Sequence, residues 1–282
     1  MPQPAVAALE AALRIRKLDR TLTSALPSLE RTDPSAFVLT GVAALDACLR
    51  GGLPRGQLSE IAGPRSSGRM TLLLQLMAAA ARRGEIAALV DTFDRLDVAS
   101  AGAAGVDLDR VLWVRGHAIT RAPGASDSRA LGPEAFLDRA LKALNLVLQA
   151  GGFGIVAIDL ADVPLVALKR IPFTTWLRMQ RTIEGSDTAC VLVAPEPLAR
   201  SAGGVTLSLG AAAQWAGTSD RSRRLAGLDL TTRVVSPRRR VQGDVRFVAT
   251  ATDRSRHTEA PGTEDMKGLS AVPRCLGVSL SL

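Results

Sequence analysis

The chain contains no tyrosine, two histidines (His117 and His257) and three cysteines (Cys48, Cys190 and Cys275). So little imidazole argues against a Ser-His-Asp mechanism and against a histidine-built metal site. The cysteines stand far apart and none forms a CxxC pair, so neither a disulfide framework nor a zinc site is expected and a reducing, cytoplasmic compartment fits. No stretch reaches the ~18 or more uncharged apolar residues of a membrane helix. The opening residues, MPQPAVAALEAALRIRK, distribute charge along a helical period and lack the order of a signal peptide. No membrane partner and no export are expected.

The 282 residues are 47% hydrophobic, enough for one large α/β domain of roughly 200 to 250 residues with peripheral segments. Basic side chains exceed acidic ones to give a net charge of +8. That excess suits an anionic partner, but an Arg-rich, Ala-rich composition also follows from a GC-rich genome, so charge alone does not select nucleic acid. Three regions are expected: an amino-terminal amphipathic helix and linker over 1–35, a core over 36–250 and a flexible tail over 251–282. The helix, carrying Val6, Leu9, Leu13 and Leu18 on one side, either packs on its own domain or docks a partner.

From Gly41 onward, strand-like and helix-like segments alternate. LSEIAG (58–63), EIAALVD (85–91), VLWV (111–114), GIVAID (154–159) and TACVLVA (188–194) read as buried strands. Helices are expected over 66–84, 96–104, 133–150 and 172–184, the third opening on Pro133 and Glu134 and stopping at Gly151 and Gly152. Strands joined by long helical crossovers form a mainly parallel sheet covered on both faces, with ligands at the carboxyl ends of its strands. Beyond residue 200, VTLSLG, LAGLDLTTRVVS and DVRFVAT alternate like antiparallel edge strands.

The sharpest motif is Gly63-Pro64-Arg65-Ser66-Ser67-Gly68-Arg69-Met70-Thr71, between a strand and a helix. That context is a phosphate loop, where backbone N–H groups and a helix amino terminus face an anion. The glycine spacing is intact. The chemistry departs from it, because Gly-Lys-Ser/Thr is replaced by Gly68-Arg69-Met70. Arg69 keeps a charge on a bulky planar fork, Met70 has no hydroxyl for magnesium, and Thr71 is turned about 100° away from that position. Asp159, ending an apolar strand, is the candidate acid for the metal's water shell. The nucleotide-binding candidates are therefore Gly63 through Thr71 with Asp159, and no residue is assigned a catalytic role.

The stretch TGVAALDACLRGGLPRGQLSEIAGPRSSGRMTLLLQLMAAAARRGEIAALVD resembles the front half of RecA recombinases. The likeness rests on Thr40 to Asp46, the GGLPRG turn, the GPxSSG loop, GVDLDRVLWVR (105–115), the Asp159 strand and the pair Gly203-Gly204, all in the same order over roughly 36–250. It implies a RecA-like P-loop core with antiparallel edge strands at the carboxyl end. In RecA, an activating glutamate follows the second strand, where this chain has Phe93 beside Asp94. A glutamine that senses the terminal phosphate stands where this chain has Pro195. Both DNA-binding loops are shorter, at about 160–171 and 195–203, and the carboxyl-terminal lobe is expected to be absent.

A RecA-like core with a decayed loop resembles the ImuA family of the bacterial translesion mutagenesis cassette. That resemblance implies a DNA-repair accessory role in the SOS response to DNA damage. It also implies RecA, ImuB and a DnaE-type error-prone polymerase as partners, ATP held weakly or vestigially, and negligible hydrolysis. Two other readings stand beside it: a slow ATP-dependent recombinase using Arg69, Thr71, Asp94 and Asp159, and a SulA-like inhibitor of cell division. For single-stranded DNA the candidates are Arg200, Gly203, Gly204, Arg223 and Arg224, with Arg221 and the run Arg238-Arg239-Arg240 nearby. These arginines serve equally well as solvated turns, since only Trp215 is interleaved to stack on bases.

Overall fold

The computed structural model describes residues 34–116, 133–199, 204–236, 241–252 and 277–281. The helix read near the amino terminus, Arg200, Gly203 and the run from Arg238 to Arg240 lie outside those residues.

A short antiparallel pair, β1 (Phe37–Val38) and β2 (Leu53–Pro54), brackets helix α1 (Ala43–Cys48). The element from Thr40 to Asp46 is a local cap. The Asp46 carboxylate accepts from the Thr40 backbone N–H at 2.7 Å, and the Thr40 hydroxyl accepts from the Val42 N–H at 3.2 Å. The main chain then alternates through β3 (Leu58–Ala62), α2 (Arg69–Arg82), β4 (Ala87–Asp91), α3 (Val98–Ala103), β5 (Val111–Arg115), α4 (Pro133–Ala150), β6 (Ile155–Asp159), α5 (Leu165–Lys169), α6 (Phe173–Ile183) and β7 (Ala189–Ala194). Three long strands follow, β8 (Thr206–Ala216), β9 (Arg224–Ser236) and β10 (Val241–Thr252), and then β11 (Gly277–Ser281).

Among the described residues these strands form one sheet of nine in the order β11-β10-β9-β8-β3-β7-β6-β4-β5. Pairing is parallel from β8 to β5 and antiparallel from β8 to β11. This is the α/β architecture that the alternation implies. The segment read as a tail, 251–282, holds the end of β10 and the whole of β11, where GVSLS alternates small polar and apolar residues. The shortened loop at 160–171 contains α5, with Ala167 and Leu168 buried.

Strands β3, β4, β6 and β7 are buried along their whole length because helices cover both faces. Alternate residues serve alternate cores. Ile61, Leu89, Ala157 and Val191 face α1 and α2, whereas Leu58, Val90, Val156, Ile158 and Leu192 face α4 and α6. Trp176 is 1% exposed in the second cluster.

Two buried polar side chains hold the centre of this frame. Gln180 of α6 accepts from the Leu58 N–H at 2.7 Å and donates to the Gly56 carbonyl at 3.0 Å, fixing the start of β3 against the helix. Glu60, at 1% exposure within β3, accepts from the N–H groups of Leu198 and Ala199 at 2.6 Å each and from the Thr206 hydroxyl at 3.1 Å. It thereby ties the segment after β7 and the start of β8 to the middle of the sheet.

Replacing Gln180 with alanine leaves a buried donor and a buried acceptor unpaired. Each costs about 1–3 kcal/mol. Urea unfolding of Gln180→Ala should therefore show a loss of about 2–6 kcal/mol with an unchanged denaturant slope.

Candidate functional site

The carboxyl ends of the parallel strands meet along one edge. Ala62 is level with Ala194, Val193 with Asp159, and Asp159 with Asp91. The loop from Gly63 leaves β3 at this edge, anchored by the Gly63 N–H to the Ala194 carbonyl at 3.2 Å. Ser66 (φ +60°) and Gly68 (φ +83°) both adopt left-handed backbone, which curls the loop and delays the helix to Arg69, three residues later than the periodicity suggests. A side chain at Gly63 would meet the Leu209 carbonyl and the Ser67 hydroxyl at 2.6 Å. One at Gly68 would meet a methyl of Leu230 at 2.3 Å. Both glycines are therefore required by close approach.

Helix α2 starts without a side-chain cap and without an acid in its first turn, so its first N–H groups face the loop. A cavity of about 220 Å³ lies there, lined by Ser66, Ser67, Gly68, Arg69, Met70, Thr71, Ala161, Val193 and Leu228. Of the ten nucleotide-site candidates, six line this cavity. Gly63 sits at the loop's root and Pro64 follows it. Arg65 is exposed and reaches Asp162 at 3.2 Å, a carboxylate shared with Arg95 at 3.3 Å.

Two groups stand out by burial. Ser67 is 2% and Arg69 8% exposed, and neither the Ser67 Oγ nor the Arg69 Nη1 has a hydrogen-bond partner. Burial pushes the Arg69 guanidinium below the usual arginine value, opposed by Asp159 and Asp162 and assisted by Arg65. Burial likewise pushes the Asp159 carboxyl up to about 6; the Ala161 N–H opposes the shift, Asp91 and Asp162 add to it and Arg69 works against it.

Where a catalytic acid would follow β4, the chain is occupied otherwise. Asp91 accepts from the Arg95 and Leu96 N–H groups at 2.8 Å each and from the Trp113 indole at 3.1 Å. Phe93 packs on Phe136 of α4, ring centres 6.0 Å apart. Asp94 is clasped by Arg115 through two bonds of 2.8 Å, with that guanidinium 4.4 Å over the Trp113 ring. Pro195, directly after β7, offers no side-chain donor.

The DNA-binding candidates separate. Gly204 lies at the seam between β3 and β8, where a Cβ would come within 2.2 Å of the Leu58 carbonyl. Arg223 and Arg224 stand at the far end of the β8–β9 hairpin. Because Ser208 is level with Ala62, the strand runs on for roughly 25 Å beyond β3 before it turns. Arg223 lies 5.3 Å over the Trp215 ring and pairs with Asp220 at 3.3 Å; Trp215 itself is 56% exposed.

Sequence reasoning did not anticipate the roles of Glu60, Leu228 and Leu230. An acid inside an apolar strand was the available signal for Glu60. The two leucines come from a strand about 160 residues after the loop, and no local pattern announces that contact.

The shift of Asp159 has a sign that can be checked. A folded value of about 6 against 3.8 when unfolded means that the neutral form is favoured by folding. The contribution is fully present below pH 3.8 and is lost as pH rises through 6. Asp159→Asn should therefore gain on the parent protein between pH 4 and pH 7.5, by up to about 3 kcal/mol in urea midpoints.

Comparison with known proteins agrees with this geometry. Residues 15–120 match the RecA N-terminal domain family. RecA of a Nitratiruptor species is 32% identical over 151 residues, covering 52% of this chain and 39% of that protein. RecA of a Synechocystis species is 36% identical over 116 residues (36% and 33% covered), and RecA of Clavibacter michiganensis is 50% identical over 80 residues (28% and 22% covered). The chain thus spans well under half the length of these relatives. The likeness to RecA is carried by the half of the core that holds the loop.

Proposed function

We propose that this chain is a non-catalytic, RecA-like accessory protein of damage-induced (SOS) translesion synthesis, of the ImuA type. It acts through contacts with RecA, ImuB and a DnaE-type error-prone polymerase, and with single-stranded DNA. One observation carries the reading: the loop keeps its curl and its cavity, while the groups that would move a phosphoryl group are replaced or engaged elsewhere. Phosphoryl transfer requires a metal, a cation and an oriented water together, and losing one such group can cost about 2.7–4 kcal/mol of barrier.

The residues fit the phosphates of a nucleotide better than its magnesium. Gly63 and Gly68 leave the backbone open, and the Ser67 hydroxyl and Arg69 guanidinium are donors without acceptors. Met70 offers no oxygen, and no cluster of metal-binding side chains occurs among the described residues. ATP, where it binds, is held here and not split. The recombinase alternative needs Asp94 as its base, and the clasp from Arg115 weighs against that use.

Contact with DNA falls to the arginine-bearing hairpin tip, with Trp215 as the stacking surface. Such binding depends steeply on salt.

Purified protein with magnesium, ATP and single-stranded DNA should release no phosphate above background. The triple variant Arg69→Lys, Met70→Thr, Phe93→Glu is the comparison that tests whether the replaced groups account for this. Immobilised protein should retain RecA and ImuB from defined mixtures. Turnover at a RecA-like rate, or failure to retain either partner, overturns the reading.

A further inference from the structure

Helix α6 faces two environments. Trp176, Met179, Gln180 and Ile183 are buried on its inner side. On its outer side Phe173 is 43% and Leu177 37% exposed, and Arg181 continues the same spacing of four, so the three form one stripe along the helix. Arg178 is exposed next to Arg181, three residues before it. Single exposed apolar side chains are ordinary on a protein surface. Elsewhere among the described residues they do stand singly, and no other element exposes two large ones. The preceding helix, α5, has the same two-sided character: it buries Ala167 and Leu168 in the core that holds Trp176 and leaves Val166 67% exposed.

The charge around this strip has one sign. Lys169 and Arg170 of the preceding segment are partnered, by Glu196 at 3.3 Å and by Glu134. Arg178 and Arg181 have no ion-pair partner among the described residues, so two guanidinium groups border the strip uncompensated. A surface that covers Phe173 and Leu177 must be apolar at its centre and acidic at its rim. An amphipathic helix with carboxylates beside its apolar stripe supplies both, since anchors four residues apart on one helix match those on another. A second copy of this face would set arginines against arginines. Single-stranded DNA would find one aromatic ring here, and Leu177 offers no π-face for a base to stack on.

We propose that the outer face of α6 is a docking surface for an acidic amphipathic helix of a partner protein, with Phe173 and Leu177 as apolar anchors and Arg178 and Arg181 as its charged border. The inference gives a place on the fold to the protein contacts proposed above, and it rests on that reading only for the existence of a protein partner. The two fail separately: failure to retain RecA or ImuB overturns that reading, and the peptide measurements below decide this one.

The experiment selects on the immobilised full chain from a displayed library of helical peptides of about 16 residues with randomised charged and apolar positions; enriched peptides are synthesised and titrated by fluorescence anisotropy. They should carry apolar residues three or four apart and an excess of Asp and Glu. The double variant Phe173→Ser, Leu177→Ser keeps every charge and should weaken their binding about tenfold or more. The double variant Arg178→Glu, Arg181→Glu keeps the apolar strip. It should weaken the acidic peptides about threefold or more and strengthen their lysine-substituted counterparts, a gain that unfolding does not produce. All four residues are exposed, and thermal melts report whether each variant is folded. Enriched peptides without an acidic excess, no enrichment over bare support, or unchanged affinity in the folded Phe173→Ser, Leu177→Ser protein overturns the proposal. So does oligothymidylate binding or self-association of the parent protein that the same variant abolishes, which would assign the face to nucleic acid or to a second copy.

Discussion

Arg69 brings a full positive charge to 8% exposure at the mouth of a parallel sheet, and no described carboxylate closes on it as an ion pair. A guanidinium does not shed its proton to escape such a position, so the surroundings must compensate at longer range. Asp159 and Asp162 do so from the neighbouring crossover, and Asp162 is itself held by Arg65 and Arg95. The same carboxyls repel one another, and Asp91 on the adjacent strand adds to the burial that draws Asp159 toward its neutral form. The site is therefore an electrostatic cluster held in tension by its own burial.

That tension can persist only on a rigid base. The parallel strands are buried on both faces and clamped by side chains distant in sequence: Gln180 from α6 onto β3, and Glu60 from β3 onto the segment that follows β7. Gly204 permits β8 to lie directly against β3, and Leu230 of β9 then reaches the loop at Gly68. The antiparallel extension of the sheet thus forms one wall of the phosphate-type loop, and changes in that extension act directly on the site.

Much of the fold was legible because its determinants are local. Continuous apolar runs marked the parallel strands, and Pro133 with Gly151-Gly152 marked both ends of α4. Local reasoning failed where the period disappears. GAAAQWA alternates nothing, so β8 was expected to stop near residue 210 and instead continues to Ala216. The short helix α5 sat inside a stretch read as a loop, since five residues are too few to display a period. In the site, the glycine spacing and the missing lysine and hydroxyl were readable directly. The burial of Arg69 was not, because it depends on side chains brought in from β6, β7 and β9.

The replaced positions are also coupled to one another. Phe93 is not merely an absent acid: its ring packs on Phe136 and joins the core behind α4. Asp94 next to it is committed to Arg115, which in turn lies over Trp113, whose indole donates to Asp91. Restoring an acid at residue 93 would place a charge against an aromatic and aliphatic surface, at a desolvation cost that a neighbouring clasped aspartate cannot relieve. Phe93, Asp94, Arg115, Trp113 and Asp91 thus form one packed unit at the ends of β4 and β5, so that a change at one of them acts on the others.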